Sequence, residues 1–172
     1  MTTHAHPPAR PLHWPALAGW LVLTFIFAAI GAFSTAQAGE FYGQLDRPSW
    51  APPASVFGPV WTVLYALMAV AAWRVHRTAG PAGMAGVRPE MTLYVVQLVL
   101  NALWSWLFFG WHRGALAFVE LLVLWLAIAA TIVAFGRRDR LAGLLLLPYI
   151  AWVSFAGALC YSIWQRNPGV LR

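Results

Sequence analysis

The sequence has little charge, one cysteine and no lysine, and each shortage excludes something. Only 9% of the 172 residues are charged, against about a quarter in an ordinary soluble domain, so the chain cannot cover a water-facing surface in the usual way. Cys160, the single cysteine, excludes an intrachain disulfide and a Cys-rich metal cage, and leaves the redox compartment unread. Ser, His and Cys are not grouped as a nucleophile, base and orienting group require, so acyl transfer has no candidate triad. No long-period repeat is visible, and the apolar stretches do not pair as inverted halves. That speaks against a two-fold secondary transporter.

Apolar residues are abundant, at 61% of the chain. Five apolar stretches are long enough to cross a hydrocarbon core of roughly 30 Å: about 14–36, 57–76, 91–111, 114–135 and 141–163. The expected fold is therefore an all-α integral membrane bundle of five transmembrane helices, forming one domain over 14–167. Residues 1–13 read as a Pro- and His-rich flexible tail, in which His4 and His6 lack a fixed third metal ligand. Ala36 and Ala38 resemble a signal-peptidase site, but the preceding run is longer than a signal h-region, so it is read as a retained span. Trp111-His112-Arg113 leaves the third and fourth spans room only for a tight antiparallel hairpin. Pro148 is expected to kink the fifth span.

The net charge of +6 comes from eleven arginines and five acids. In a soluble protein it would raise nucleic acid as a partner; here the arginines lie mostly between spans, where they set orientation and touch headgroups, and no nucleic acid is expected. Arg10, Arg74, Arg77, Arg88, Arg137, Arg138 and Arg140 fall on the N-terminal side and Arg47, Arg113, Arg166 and Arg172 on the other. The positive-inside rule then places the N terminus in the cytoplasm and the loop at 37–56 on the opposite side, and helical spans favour the inner membrane of a bacterial cell.

That loop organises the reading. It holds Glu40, Asp46 and Arg47 and then Pro48-Ser49-Trp50-Ala51-Pro52-Pro53, which proline should hold extended and stiff over Ser49–Pro53. Directly after it, Phe57, Trp61 and Tyr65 recur every four residues on one helix face. Such a stripe suits packing or a pocket wall; beside a rigid loop bearing another Trp, the pocket gains weight. The other tryptophans divide into span-end anchors, Trp14, Trp73, Trp111 and Trp164, and interior residues including Trp104 and Trp152. Gln97, Asn101 and Ser105 form a polar stripe on the third span that must face protein or a cavity, Gln97 and Ser105 by interhelical hydrogen bonding and Asn101 as the site candidate. Glu120 is a carboxylate inside the fourth span, open to a proton-relay or a structural reading. His76 and His112 lie at opposite membrane sides and cannot share a metal; no metal site is expected.

These motifs resemble the TspO/MBR family of tryptophan-rich sensory proteins. The resemblance rests on Pro48-Ser49-Trp50-Ala51-Pro52-Pro53 with Phe57, Trp61 and Tyr65; on Gln97-Leu98-Val99-Leu100-Asn101-Ala102-Leu103-Trp104 with Phe108-Phe109; and on Leu147-Pro148-Tyr149-Ile150-Ala151-Trp152. It implies a five-helix bundle, often homodimeric, with a pocket under the first loop. It also implies binding of porphyrins and haem, of cholesterol-like sterols and of benzodiazepine-type ligands, with no cofactor required. The ligand-binding positions it implies are Trp50, Phe57, Trp61, Tyr65, Asn101, Trp152 and Ala156, to which the neighbouring Trp104 and Cys160 are added. Light-dependent porphyrin breakdown in the family implicates Trp61 and Trp152. Two departures stand out: Cys160 where an asparagine is usual, and Phe41 where a tryptophan is common. Leu159, Tyr161 and Arg166 fit a loose sterol-contact pattern. The implied function is tetrapyrrole binding by a sensor, regulator or carrier, with a porphyrin-degrading enzyme or a proton-coupled transporter using Glu120 as the alternatives.

Overall fold

The computed structural model describes residues 14–34 and 38–172. The tail with His4, His6 and Arg10, and residues 35–37 including Ala36, lie outside the described residues. The helices are α1 (Trp14–Ser34), α2 (Ala38–Gln44), α3 (Phe57–His76), α4 (Arg88–Ser105), α5 (Gly114–Arg138), α6 (Arg140–Leu145) and α7 (Leu147–Arg166). Short 3-10 turns at Ala54–Val56 and Gly80–Val87 lead into α3 and α4, and a π-helical turn at Trp106–Gly110 ends α4. No strand occurs among the described residues. Five segments are long and apolar enough to span a bilayer: Trp14–Ser34, Ala54–His76, Gly80–Gly110, Gly114–Arg138 and Arg140–Arg166. The protein is thus an all-α integral membrane bundle, as the hydropathy pattern requires.

Proline and glycine account for the differences from expectation. The loop at 37–56 contains the helix α2, and Ser49-Trp50 form a turn, closed by the Ala51 N–H donating to the Pro48 carbonyl at 3.0 Å, rather than an extended run. Pro48 stands at the first position of this turn and supplies the accepting carbonyl, and Ser49 and Trp50 take its two corners. Gly80–Val87 is helical where a loop is expected, and is broken at Gly83 by a φ of +56°. Pro148 ends a helix outright: α6 stops at Leu145, and α7 restarts with Pro148 in its first turn, where its missing N–H would have been unpaired anyway.

Between helices in lipid, packing takes over from the hydrophobic effect, so small residues at the contacts matter. On α3, Ala69, Ala71 and Ala72 are fully buried and let neighbouring backbones approach. A Cβ on Gly143 of α6 would lie 2.9 Å from the Gly136 Cα of α5, and one on Gly114 would lie 2.6 Å from the Trp164 ring. α1 is peripheral; Thr24 and Gly31 are its buried residues. It is held by the Thr24 hydroxyl bonded to the Tyr94 hydroxyl at 2.6 Å, with Trp20 edge-on to the same ring.

Both ends of the bundle are tied by polar contacts. At the arginine-rich end, Arg74 pairs with Asp139 at 2.7 Å, and Arg138 bonds Glu90 at 2.6 Å and the Gly86 carbonyl at 2.9 Å. At the other end the Asn167 side chain accepts from the Asp46 N–H and donates to the Asp46 carbonyl, each at 2.9 Å. This lashes the first loop to the end of α7. Asp139 also caps α6, accepting from the Ala142 N–H at 3.1 Å.

Burial alone would raise the Asp139 carboxyl, but the Arg74 hydrogen bond, the Ala142 N–H and the Arg74 charge outweigh it and hold the carboxyl below its usual value. Because the folded value is depressed, its stabilisation is present above the ordinary carboxylate range and is lost as pH falls through the folded value. Asp139→Asn retains the cap and removes the charge pair. It is expected to cost about 1–2 kcal/mol at neutral pH and to flatten the acid limb of the stability profile. Thermal unfolding in detergent across a pH series checks this; an unchanged acid limb would show that Asp139 contributes nothing to it.

Candidate ligand-binding cavity

A cavity of about 550 Å³ lies beneath the first loop, walled by α1, α2, the 54–56 turn, α3, the end of α4 and α7. Its position follows from two local features. α2 places Tyr42 (3% exposed) under the proline loop, where its hydroxyl donates to the Pro52 carbonyl at 3.0 Å and its ring meets Phe57 edge-on at 5.4 Å. The Arg47 guanidinium caps the same ring at 4.8 Å. Burial raises the Tyr42 hydroxyl above its ordinary value, with the Arg47 charge pulling the other way, so this phenol remains a donor to the loop at physiological pH.

The second feature is the π turn. Trp111 donates its N–H to the Trp106 carbonyl at 2.7 Å, five residues back, so one extra residue is accommodated at the end of α4. Phe108 is thereby buried at 2% exposure and stacked on Trp104 at 5.6 Å, while Phe109 reaches the cavity. The hairpin then reverses at His112, whose φ of +53° is left-handed. Its imidazole stacks on Phe41 of α2 at 4.3 Å, and Phe41 also meets Phe109 edge-on. The lid helix is in this way joined to the α4–α5 hairpin by rings.

Seven of the nine sequence-predicted ligand positions line the cavity: Phe57, Trp61, Tyr65, Asn101, Trp104, Trp152 and Ala156. The expected ladder on α3 is only half formed within the helix. Trp61 and Tyr65 are 5.5 Å apart, whereas Phe57 turns to Trp152 of α7 at 5.9 Å. Asn101 is the polar centre. Tyr65 donates its hydroxyl to the Asn101 Oδ1 at 2.6 Å, and Asn101 donates through Nδ2 to the Tyr149 hydroxyl at 3.0 Å, so one amide joins α3, α4 and α7. The indole Nε1 of Trp152 is buried without a hydrogen-bond partner among the described residues, and the buried Trp104 indole is turned to the Cys160 thiol.

Trp50 and Cys160 do not line the cavity. Trp50 is 50% exposed and leans on Phe155 of α7 at 5.8 Å. Cys160 is buried behind the wall, next to Trp104. The sterol-pattern residues diverge: Leu159 is buried, Tyr161 is exposed against Phe118, and Arg166 lies 3.8 Å from Asp46. Gln97 does not form the expected interhelical bond. It is buried, one turn before Asn101 on α4, with neither amide atom partnered among the described residues. Ser105 lines the cavity. The two Glu120 oxygens are buried without a partner among the described residues, away from the cavity lining. Of the span-end tryptophans, Trp73 is buried beneath Trp14 at a stacking distance of 6.4 Å rather than facing lipid.

The sequence reading missed the α1 wall, made by Phe25, Ala28, Ala29, Gly31 and Ala32. The signal available was that cluster of small residues, which thins the wall on one side. The described lining contains no His, Cys or Met, so the site offers ring stacking rather than an imidazole, thiolate or thioether for iron.

The sequence profile of the TspO/MBR family matches residues 18–165. The chain is 42% identical to Protein CrtK of Rhodobacter capsulatus over 131 residues, covering 76% of this chain and 81% of that protein. It is 39% identical to the tryptophan-rich protein TspO of Chlorobaculum tepidum, covering 89% and 95%, and 36% identical to the translocator protein of Homo sapiens, covering 91% and 92%.

The Asn101 junction makes a direct prediction. Asn101→Leu keeps the branched outline but leaves the Tyr65 and Tyr149 hydroxyls unpaired, at about 1–3 kcal/mol for each buried group. A clear fall in the thermal unfolding midpoint of the purified protein is expected, with a smaller fall for Tyr65→Phe. Equal midpoints for Asn101→Leu and the parent protein would show that the junction does not hold the three helices.

Proposed function

Because the chain belongs to the TspO/MBR family, we propose that it binds tetrapyrroles, protoporphyrin IX and haem, in the cavity beneath the first loop and acts as a sensor, regulator or carrier for them. The observation that carries this reading is the wall itself. Phe57, Trp61, Trp104, Phe109 and Trp152 converge from α3, α4, the π turn and α7 on one space of about 550 Å³, within the range of small-molecule sites. Planar macrocycles bury large flat faces on indoles, which this ring-lined wall supplies. Metal-free porphyrin suits this lining better than axially ligated haem, since Tyr65 is already committed to Asn101. Sterol-like and benzodiazepine-type ligands belong to the same proposal, as apolar bodies with few acceptors. So do a homodimeric assembly and residence in the bacterial inner membrane with the N terminus cytoplasmic.

A second reading has one observation in its favour: Trp61 and Trp152, the residues tied to light-dependent porphyrin breakdown, both line the cavity. Illumination of the protoporphyrin complex separates the two. A new bilin-like absorption band, lost in the Trp61→Phe, Trp152→Phe double variant, supports degradation; intact binding without a band leaves binding alone. Glu120 does not line the cavity, which leaves a proton-coupled transport reading without a geometric basis.

Titration of purified protein with protoporphyrin, followed by porphyrin absorbance, is expected to saturate. The double variant is expected to weaken Kd by roughly three- to tenfold through lost indole contact. Unchanged affinity in the double variant would remove the cavity from the proposal.

A further inference from the structure

A second concavity, of about 460 Å³, lies on the outer surface of the bundle near the arginine-rich end. It is bounded by Trp20 of α1, by Met84 and Ala85 of the 80–87 turn, and by Arg88, Met91 and Val95 at the start of α4. It does not communicate with the ligand cavity through any shared lining residue. We propose that it is a site for one anionic phospholipid, with an acyl chain in the groove and the phosphate on the Arg88 guanidinium.

The walls are built for a chain. Trp20 is fixed edge-on by Tyr94 at 5.7 Å and by His76 at 6.2 Å, so one side is rigid. Met84 and Met91 form the other side, and unbranched thioethers adapt to an irregular chain. Thr92 brings a hydroxyl to the rim, but it donates to the Arg88 carbonyl at 2.9 Å and is satisfied. The guanidinium of Arg88 is therefore the open polar group of the groove.

Charge selects the lipid. Two carboxylates lie at this end, and both are taken: Glu90 by Arg138 and Asp139 by Arg74. Arg88 is exposed, and its side chain makes no ion pair or hydrogen bond among the described residues. It stands at the first residue of α4, at the end of a span, where an arginine stem lies along apolar surface and presents its charge to the headgroups. A zwitterionic lipid brings its own cation to the phosphate, whereas an anionic lipid leaves that charge for Arg88. The arginine excess places this end in the leaflet where anionic lipids concentrate.

The test uses the full-length protein in vesicles of brominated phosphatidylglycerol or brominated phosphatidylcholine. The groove signal is the difference in tryptophan quenching between the parent protein and Trp20→Phe. That difference is expected to be larger for phosphatidylglycerol, and the relative affinity obtained from mixed vesicles to fall on the order of fivefold in Arg88→Gln. Arg137→Gln, which removes an exposed arginine at the same end but outside the groove, is expected to leave it unchanged. Ala85→Trp fills the groove with Arg88 intact and is expected to abolish the groove signal for both lipids. Equal signals from the two lipids, equal effects of Arg88→Gln and Arg137→Gln, or an undiminished signal in Ala85→Trp would each overturn the site. Should Arg88→Gln fail to fold, the Ala85→Trp result decides alone.

Discussion

The structure depends most on one amide. In hydrocarbon a buried polar group has no water to fall back on, and Asn101 meets that constraint by bonding Tyr65 and Tyr149 at once. Since those tyrosines stand on α3 and α7, the registers of three helices are set together at mid-membrane. Tyr65 and Asn101 themselves line the cavity, and the rest of the lining on α3, α4 and α7 follows from that point. Trp61 sits one turn from Tyr65, Trp104 and Ser105 one turn from Asn101, and Trp152 just under one turn from Tyr149. The cavity is the space left above a polar knot.

The lid is controlled from water-exposed ground. Tyr42 bonds Pro52, Asn167 bonds Asp46 in both directions, and Phe41 stacks on His112, so the first loop is fastened to α7 and to the α4–α5 hairpin. These fastenings are hydrogen bonds and ring contacts near the membrane boundary, individually weaker than the packed helix interfaces. An opening motion would therefore break the lid contacts before it disturbed the bundle. At the opposite end, pairs such as Arg74–Asp139 and Arg138–Glu90 hold α3, α4, α5 and α6 in place and consume the acids, leaving a surface biased toward anions.

Most of the bundle was legible in the linear pattern, because spanning length and apolar composition are local properties. Most span limits moved by a few residues, the third span starting earlier, at Gly80, and the tight hairpin at Trp111–Arg113 came out as read. The site was legible where its residues share a helix face or a motif, as Phe57, Trp61 and Tyr65 do. Elsewhere it was not. Trp50 belongs to the same motif yet faces outward, because the turn at Pro48–Ala51 rotates it onto Phe155. Gln97 and Asn101 share one stripe, yet one finds two partners and the other finds none, since the partners come from helices whose registers the stripe does not encode. α1 read as a bare apolar span, and its contribution of small residues to the wall becomes visible only against α3 and α4.

By itself, then, the sequence determined that this is a five-span helical membrane protein, and its motifs identified the family resemblance, because hydropathy, proline placement and residue spacing act over a turn or a span. The tertiary structure alone decided that a cavity exists and which side chains line it. It also placed Cys160 behind the wall and Arg88 above a separate groove. Those outcomes depend on the rotation and register of each helix against its neighbours. In lipid these are set by close contacts such as Gly143 on Gly136 and by buried polar bonds between distant residues, neither of which any single span contains.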